Sequence, residues 1–343
     1  ANIKMAAAFA RLPAAQRSTT LARGLLSLVS ASLSSTLVSC SSHDFRLPPR
    51  TTLTGALQAA TSAFSEAAVP EPSLSAEHLL ARCAGFGNSR SMIGLHGDQA
   101  LDLEAAGAFE TMCMQRLARM PIQYILGDWD FHDLTLEVQP PVLIPRPETE
   151  ELVEHILAAH GGDGGAISFL DVGCGSGAIG LALLHRMIGA RCIGIDVHPV
   201  AAALAARNAE RCNVSTRYES LLVEGGIVAC DLAPTFDVIV SNPPYIPRPD
   251  MPSLAPEVAW HEDSGALCGG EDGLDVVRDI VYAAPRLLRP DGPCKIWLEF
   301  DTSHPKLLQA WLDSKPELDV RMVRWMHDAY GRPRFCELAW SPE

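Results

Sequence analysis

No stretch of this 343-residue chain strings together the roughly 18 or more apolar residues that a membrane-spanning helix requires. A helical span and stable attachment to a membrane are therefore not expected. There is no Cys-x-x-Cys pair either. The ten cysteines (Cys40, Cys83, Cys113, Cys174, Cys192, Cys212, Cys230, Cys268, Cys294 and Cys336) stand singly, away from any Cys/His cluster of zinc-like spacing. That pattern argues against a disulfide framework and against a metal site, and for reduced, mostly buried thiols. Charge is scarce as well: 20% of residues are charged against 48% hydrophobic, the balance of a globular protein with a substantial core. Basic residues are scarcest in the body of the chain. The first 43 residues carry Lys4, Arg11, Arg17 and Arg23 with no acid, so the remaining 300, with 23 basic and 41 acidic side chains, stand at −18. Such a body is a poor partner for phosphate backbones, and no stable nucleic-acid complex is expected.

What is present at the amino terminus reads as an address. From Met5 the segment MAAAFARLPAAQRSTTLARGLLSLVSASLSSTLVSCSS contains recurring arginines, is rich in Ala, Ser and Thr, and meets its first acid at Asp44. Arginines that recur into the apolar part fit an organelle transit peptide better than a secretory signal, whose basic charge sits at its start. Residues 1–45 are thus expected to be a transit or disordered segment, with routing to the mitochondrial matrix favoured over plastid or secretory routing and an untargeted tail as the alternative.

Beyond it, three amphipathic stretches suggest a small helical domain over 46–120. Leu53, Leu57, Ala60 and Phe64 recur at three- and four-residue intervals. Pro70 and Pro72 then interrupt, Ser73 is the expected N-cap of a second helix, and a third runs from about Leu101 to Leu117. Between Ile122 and Pro147 the pattern changes to alternation through Phe131, Leu134, Leu136 and Val138, expected to form a hairpin linking two domains (121–147). A catalytic domain is expected over 148–343. It opens on a helix from Glu148 to His160, followed by strand, glycine loop, helix, strand, helix, strand: Ile167–Val172, Ile179–Met187, Arg191–Asp196, Pro199–Arg211 and Val238–Val240. Helix Leu274–Leu288 and strand Cys294–Glu299 come next, then two strands at about Asp319–Trp325 and Arg334–Trp340. This alternation implies an α/β doubly wound sheet with a final antiparallel hairpin.

Two motifs carry chemistry. Asp171-Val172-Gly173-Cys174-Gly175-Ser176-Gly177 lies where the first strand passes into a helix, a place where glycines let backbone amides approach a ligand. Asp196 ends the next strand and can accept hydrogen bonds from both hydroxyls of an adenosine ribose. The same pattern satisfies a dinucleotide loop, and Asp196 would serve a nicotinamide cofactor equally well. Asp171 tilts the reading toward S-adenosylmethionine, whose methionine ammonium it is placed to meet; Cys174 is a small loop residue. The second motif is Asn242-Pro243-Pro244-Tyr245, after the apolar strand ending at Ser241. Prolines fix the chain and lack N–H donors, so the Pro243 carbonyl and the Asn242 side-chain oxygen can both face outward as acceptors. That pair matches a planar NH2 group, with Tyr245 packing on its flat face. Acceptors orient a weakly nucleophilic nitrogen in line with a methyl sulfonium and stabilise the positive charge that develops on it. The bare tetrapeptide also closes strands as an ordinary turn, and it serves adenine as readily as an amide.

With both motifs in place, the chain resembles the HemK/PrmC family of protein glutamine N5-methyltransferases. The resemblance runs over about residues 75–340, through PIQYILGDWDF (121–131), LIPRPETEELVEHIL (143–157), FLDVGCGSGAIGLALL (169–184), GIDVHPVAAALAARNA (194–209), IVSNPPYIP (239–247) and GGEDGLDVV (269–277). It implies a seven-stranded Rossmann-like methyltransferase domain preceded by a small helical domain. The cofactor it implies is S-adenosyl-L-methionine, with S-adenosyl-L-homocysteine as product and no metal. The implied substrate is the Gly-Gly-Gln glutamine of a class I peptide chain release factor, in this case a mitochondrial one, with the N-terminal helices helping to dock it. Gly173 to Gly177 and Asp196 would hold the cofactor, and Asn242, Pro243, Pro244 and Tyr245 the substrate, with Asn242 also near the methionine part. GGIVACDLAP (225–234) departs from the family pattern, which leaves the residue packing on adenine unnamed, and EVAW (257–260) replaces an acidic-aromatic segment. The alternatives are an N6-adenine methyltransferase of DNA or RNA, disfavoured by the acidic body, and a nicotinamide oxidoreductase, disfavoured by the tetrapeptide and by the lack of an evident hydride-relay histidine. A catalytically silent binding protein is a further alternative that the intact motifs do not favour.

Overall fold

The computed structural model describes residues 44–161, 166–293 and 295–341. The transit reading falls on residues that, up to position 43, lie outside these, as do Cys40 and Cys294. Helix α1 (Leu53–Glu66) starts where the Thr52 hydroxyl accepts the Gly55 N–H at 3.2 Å, and it buries Leu53, Ala56, Ala60 and Phe64. Ala56, rather than Leu57, completes the buried stripe. Helix α2 (Pro72–Cys83) begins two residues before the expected start. Glu71 is its N-cap, Pro72 takes the first helical position, and Ser73, inside the helix, donates to Glu77 Oε1 at 3.3 Å. Proline's fixed φ suits the first turn, and its missing N–H needs no partner there, which displaces the cap from Ser73 to Glu71. A short α3 (Ser91–Leu95) precedes α4 (Leu103–Leu117), whose N-cap Asp102 accepts the Ala105 N–H at 2.8 Å.

The alternating segment divides in two. Ile122–Leu126 is a single helical turn, α5, closed by Gly127 at φ 78°. Only β1 (Asp128–Phe131) and β2 (Leu134–Glu137) pair, antiparallel, with Phe131, Leu134 and Leu136 buried. Helix α6 (Pro147–His160) follows, with proline at its first position and Thr149, Leu152, Val153 and Ile156 buried.

Then comes the expected alternation: β3 (Ser168–Val172), α7 (Ala178–Arg186), β4 (Arg191–Asp196), α8 (Pro199–Arg211), β5 (Tyr218–Leu222), β6 (Val238–Ser241), the one-turn α9 (Pro256–Ala259), α10 (Asp275–Leu287), β7 (Lys295–Glu299), α11 (His304–Asp313), β8 (Val320–His327) and β9 (Pro333–Trp340). Strand order is β5-β4-β3-β6-β7-β9-β8. The first five are parallel, and β9 runs antiparallel to both neighbours. Strand β5 is the seventh, which sequence periodicity did not locate. As an edge strand it buries only Tyr218 fully, so it has no apolar run to betray it. Central strands are apolar on both faces because helices cover both: Val238, Ile239 and Val240 are each fully buried. Phe169 joins Leu181 and Trp297 on one side of the sheet, while Leu170 joins Ile239, Ile280 and Phe300 on the other.

Strand order reverses between β3 and β6, which pair in register from Phe169↔Val238 to Asp171↔Val240. Their carboxyl ends therefore open side by side, and the Ser241 hydroxyl fastens them by donating to the Val172 carbonyl at 2.6 Å. A doubly wound sheet holds its ligand at this crevice. No described helix is long and apolar enough to cross a membrane.

Candidate active site

A cleft opens over the ends of β3, β4 and β6. Its floor is the glycine loop. Gly173 has φ 68°, and a Cβ added there would meet nothing within 4 Å, so the backbone presents an open face. Gly177 serves packing instead: a Cβ there would stand 3.0 Å from Leu181 Cδ1 and 3.3 Å from Ala205 Cβ, so its absence lets α7 and α8 close on each other. The amides of Gly173 and Cys174 donate to the Ile195 carbonyl at 2.8 and 3.1 Å, which ties the loop to β4. Asp196 completes the floor. One carboxylate oxygen accepts the Gly175 N–H at 2.9 Å and the other the His198 N–H at 2.8 Å. Asp196 lines the cleft, and each of its oxygens keeps acceptor capacity beyond these bonds. Burial raises its pKa, while these two N–H bonds and His198 oppose the rise.

Asp171 is not on the cleft wall. It is 1% exposed, its Oδ2 accepts the Gly180 N–H at 3.1 Å, and burial pushes it up to about 7. Alternation along β3 turns its side chain into the layer beneath the loop, beside Gly180 of α7, so it supports the loop from below and is not among the residues that line the cleft. Gly173, Cys174, Gly175, Ser176 and Asp196 do line the cleft, and Gly177 is buried behind it. Of the tetrapeptide, Asn242 and Pro244 line the cleft, Pro243 is buried and Tyr245 half-buried. The chain leaving it is pinned, since Ile246 pairs with Cys268, donating to the Leu267 carbonyl at 2.9 Å and accepting from Gly269 at 2.9 Å.

Behind Asn242 stands a polar chain that sequence reasoning missed. The Asn242 side-chain nitrogen donates to Thr149 Oγ1 at 3.1 Å, and the Thr149 hydroxyl donates to Glu299 Oε2 at 2.7 Å. Thr149 is 4% exposed and Glu299 1%. Burial pushes Glu299 up to about 7 against the opposing pull of Thr149, Arg334 and Arg146, and the Tyr245 phenol beside it is pushed up to about 12. Arg146, on the cleft wall, bonds both oxygens of the buried Glu262 at 2.7 and 2.6 Å. With Tyr124 Oη donating to the Val142 carbonyl (2.7 Å) and the Asp263 amide to the Pro141 carbonyl (2.8 Å), this fixes segment 141–149 as one wall. Thr149 lies inside the quoted IPRPETE run. Glu299 gives one sequence signal: a lone acid directly after the apolar run Ile296–Leu298 of the strand KIWLE.

The opposite end is apolar, with Val197, Val223, Ile227 and Val276 around Gly225 and Gly226, and one acid, Asp279, on α10. The helical segment reaches the reaction side through Glu257, in the segment after the tetrapeptide. Arg116, 5% exposed, donates to Glu257 Oε1 at 3.1 Å, and Arg119 donates to Oε2 at 3.2 Å. The altered EVAW segment thus supplies the acid of a partly buried ion pair, and its Trp260 stays 61% exposed.

A family model described as the PrmC N-terminal domain matches residues 55–127, and one described as a methyltransferase domain matches residues 169–261. The chain is 40% identical over 307 residues to the human MTRF1L release factor glutamine methyltransferase, covering 86% of this chain and 90% of that one. The chain belongs to the release factor glutamine methyltransferase family. A second member, from Mycolicibacterium smegmatis, is 39% identical over 290 residues, covering 83% of this chain and 96% of its own length. Among solved structures, a release factor-specific protein-(glutamine-N5) methyltransferase from Alicyclobacillus acidocaldarius is 25% identical, covers 60% of this chain and 100% of that one, and superposes with a TM-score of 0.36; family membership rests on the sequence relatives. Like its relatives, this member of the family is a methyltransferase, and the helical segment and the glycine-loop segment each match a model of their own.

Proposed function

We infer that the chain methylates the side-chain amide nitrogen, N5, of the Gly-Gly-Gln glutamine in class I release factors, using S-adenosyl-L-methionine and leaving S-adenosyl-L-homocysteine. The observation that carries this reading is Asn242: its amide nitrogen is held by Thr149, so its carbonyl remains to accept from a substrate NH2 beside the glycine loop. The cleft fits the cofactor, with an open loop backbone, a carboxylate set for ribose hydroxyls and an apolar end for adenine. The bound cofactor supplies an electrophilic methyl on a sulfonium. Asn242 Oδ1 and the Pro243 carbonyl accept the two amide hydrogens and hold the nitrogen in line, which favours pyramidalisation and stabilises the charge that grows on it. The C–N bond forms as the S–C bond breaks, and the extra proton leaves for solvent. Tyr245 packs on the flat amide. No metal enters the scheme. The helical segment 46–120 serves as the docking module for the release factor, and the amino-terminal composition supports mitochondrial matrix residence.

With labelled cofactor, a purified release factor is expected to acquire label at its Gly-Gly-Gln glutamine, and Gln→Ala there should abolish it. Label in DNA or RNA oligonucleotides instead would sink the protein-substrate reading.

A further inference from the structure

Asparagine's side chain is two-ended, with a carbonyl that accepts and an NH2 that donates, and the two ends have nearly the same shape. A site that needs the carbonyl must therefore state which way the amide is turned. In this cleft the statement is made from below. An ionised carboxylate only accepts, so the Thr149 proton goes to Glu299 at 2.7 Å, and the Thr149 oxygen is left with lone pairs alone for Asn242. Only the NH2 end of Asn242 can satisfy that oxygen at 3.1 Å. The carbonyl end is turned away from Thr149.

We propose that Thr149 and Glu299 are positioning residues that lock the Asn242 amide with its carbonyl toward the substrate nitrogen; this rests on the methyl-transfer reading of the site. Protonation of Glu299 reverses the logic. A neutral carboxyl can donate to Thr149, whose own proton then points at Asn242 and selects the carbonyl. The flipped amide offers its NH2 to the substrate's NH2, donor against donor. Charged and titratable groups facing Glu299 come from three directions: Arg334 on β9 and Arg146 before α6 favour the charged form, Glu148 of α6 opposes it, and Tyr245 borders it. With Glu299 pushed up to about 7, turnover falls as pH drops through that value.

The test uses full-length protein labelled with 15N-asparagine. The Asn242 side-chain NH2 signal is assigned by its loss in Asn242→Ala. That signal is expected to move with pH around 7 in the wild type, to lose this dependence in Glu299→Gln, and to shift in Thr149→Val. In parallel, Thr149→Val should lower kcat about thirtyfold with unchanged KM for release factor and unchanged cofactor affinity, while Thr149→Ser, which keeps the hydroxyl, stays within about threefold. Glu299→Gln should lose the acidic limb of the pH profile. Thr149→Ser and Glu299→Gln keep the test open if the valine variant fails to fold. An Asn242 signal indifferent to pH and to both substitutions overturns the proposal. A signal that responds as expected in a protein that leaves release factors unmethylated upholds the lock and overturns the substrate assignment instead.

Discussion

The two ends of the cleft are built by different means. The proposed cofactor end is lined by a continuous run of the loop, Gly173 to Ser176, and by Asp196, itself held by backbone amides. At the proposed reaction end stands one side chain, Asn242, held through Thr149 by Glu299, residues contributed by the segment after β6, by α6 and by β7. Backbone recognition is set by local conformation and tolerates side-chain change. Side-chain recognition assembled over long range does not, because the supporting Thr149 and Glu299 are buried and have no water to replace a lost bond.

The contrast is tested hardest at Asn242. Asn242→Ala should lower turnover at least about a hundredfold while leaving cofactor affinity within a few-fold, since it removes an acceptor used chiefly as charge develops on nitrogen. Turnover close to wild type would show that the reaction end does not depend on this side chain. At the other end, Asp196→Ala should weaken binding of S-adenosyl-L-homocysteine about thirtyfold by calorimetry, roughly 2 kcal/mol for hydrogen bonds to a charged acceptor. Turnover at saturating cofactor should fall far less. An opposite split, with affinity kept and turnover lost, would erase the division of labour.

The same division explains what the sequence could and could not disclose. The glycine loop, Asp196 and the tetrapeptide are contiguous or sit at strand ends, so their spacing is readable, and six of the sheet's seven strands announce themselves through apolar runs. Strand β5 does not, because an edge strand buries one side chain where a central strand buries four. A carboxylate at a strand end can face either side of the sheet, and one residue of alternation decides which, so sequence alone offers Asp171 to the ligand as readily as to the layer beneath. Its burial beside Gly180 is a fact of tertiary packing. The Thr149–Glu299 bond spans 150 positions of sequence, and no local pattern encodes it. Ser73 failed as a cap for a more local reason: Pro72 beside it already filled the first position of the helix.

Cys174 gives the smallest and sharpest test. It lies within the loop, lines the cleft, and is the one loop residue whose side chain has reactive chemistry. Its thiol is 6% exposed, and burial, with Asp171 and Asp196 nearby, raises its pKa well above the ordinary thiol value, so little thiolate exists at neutral pH. If the cofactor end works through backbone, Cys174→Ala should change cofactor affinity by less than about threefold, and iodoacetamide at neutral pH should leave Cys174 unmodified by mass spectrometry. A tenfold loss of affinity would instead place side-chain recognition inside the glycine loop, and the two ends of the cleft would no longer differ in kind.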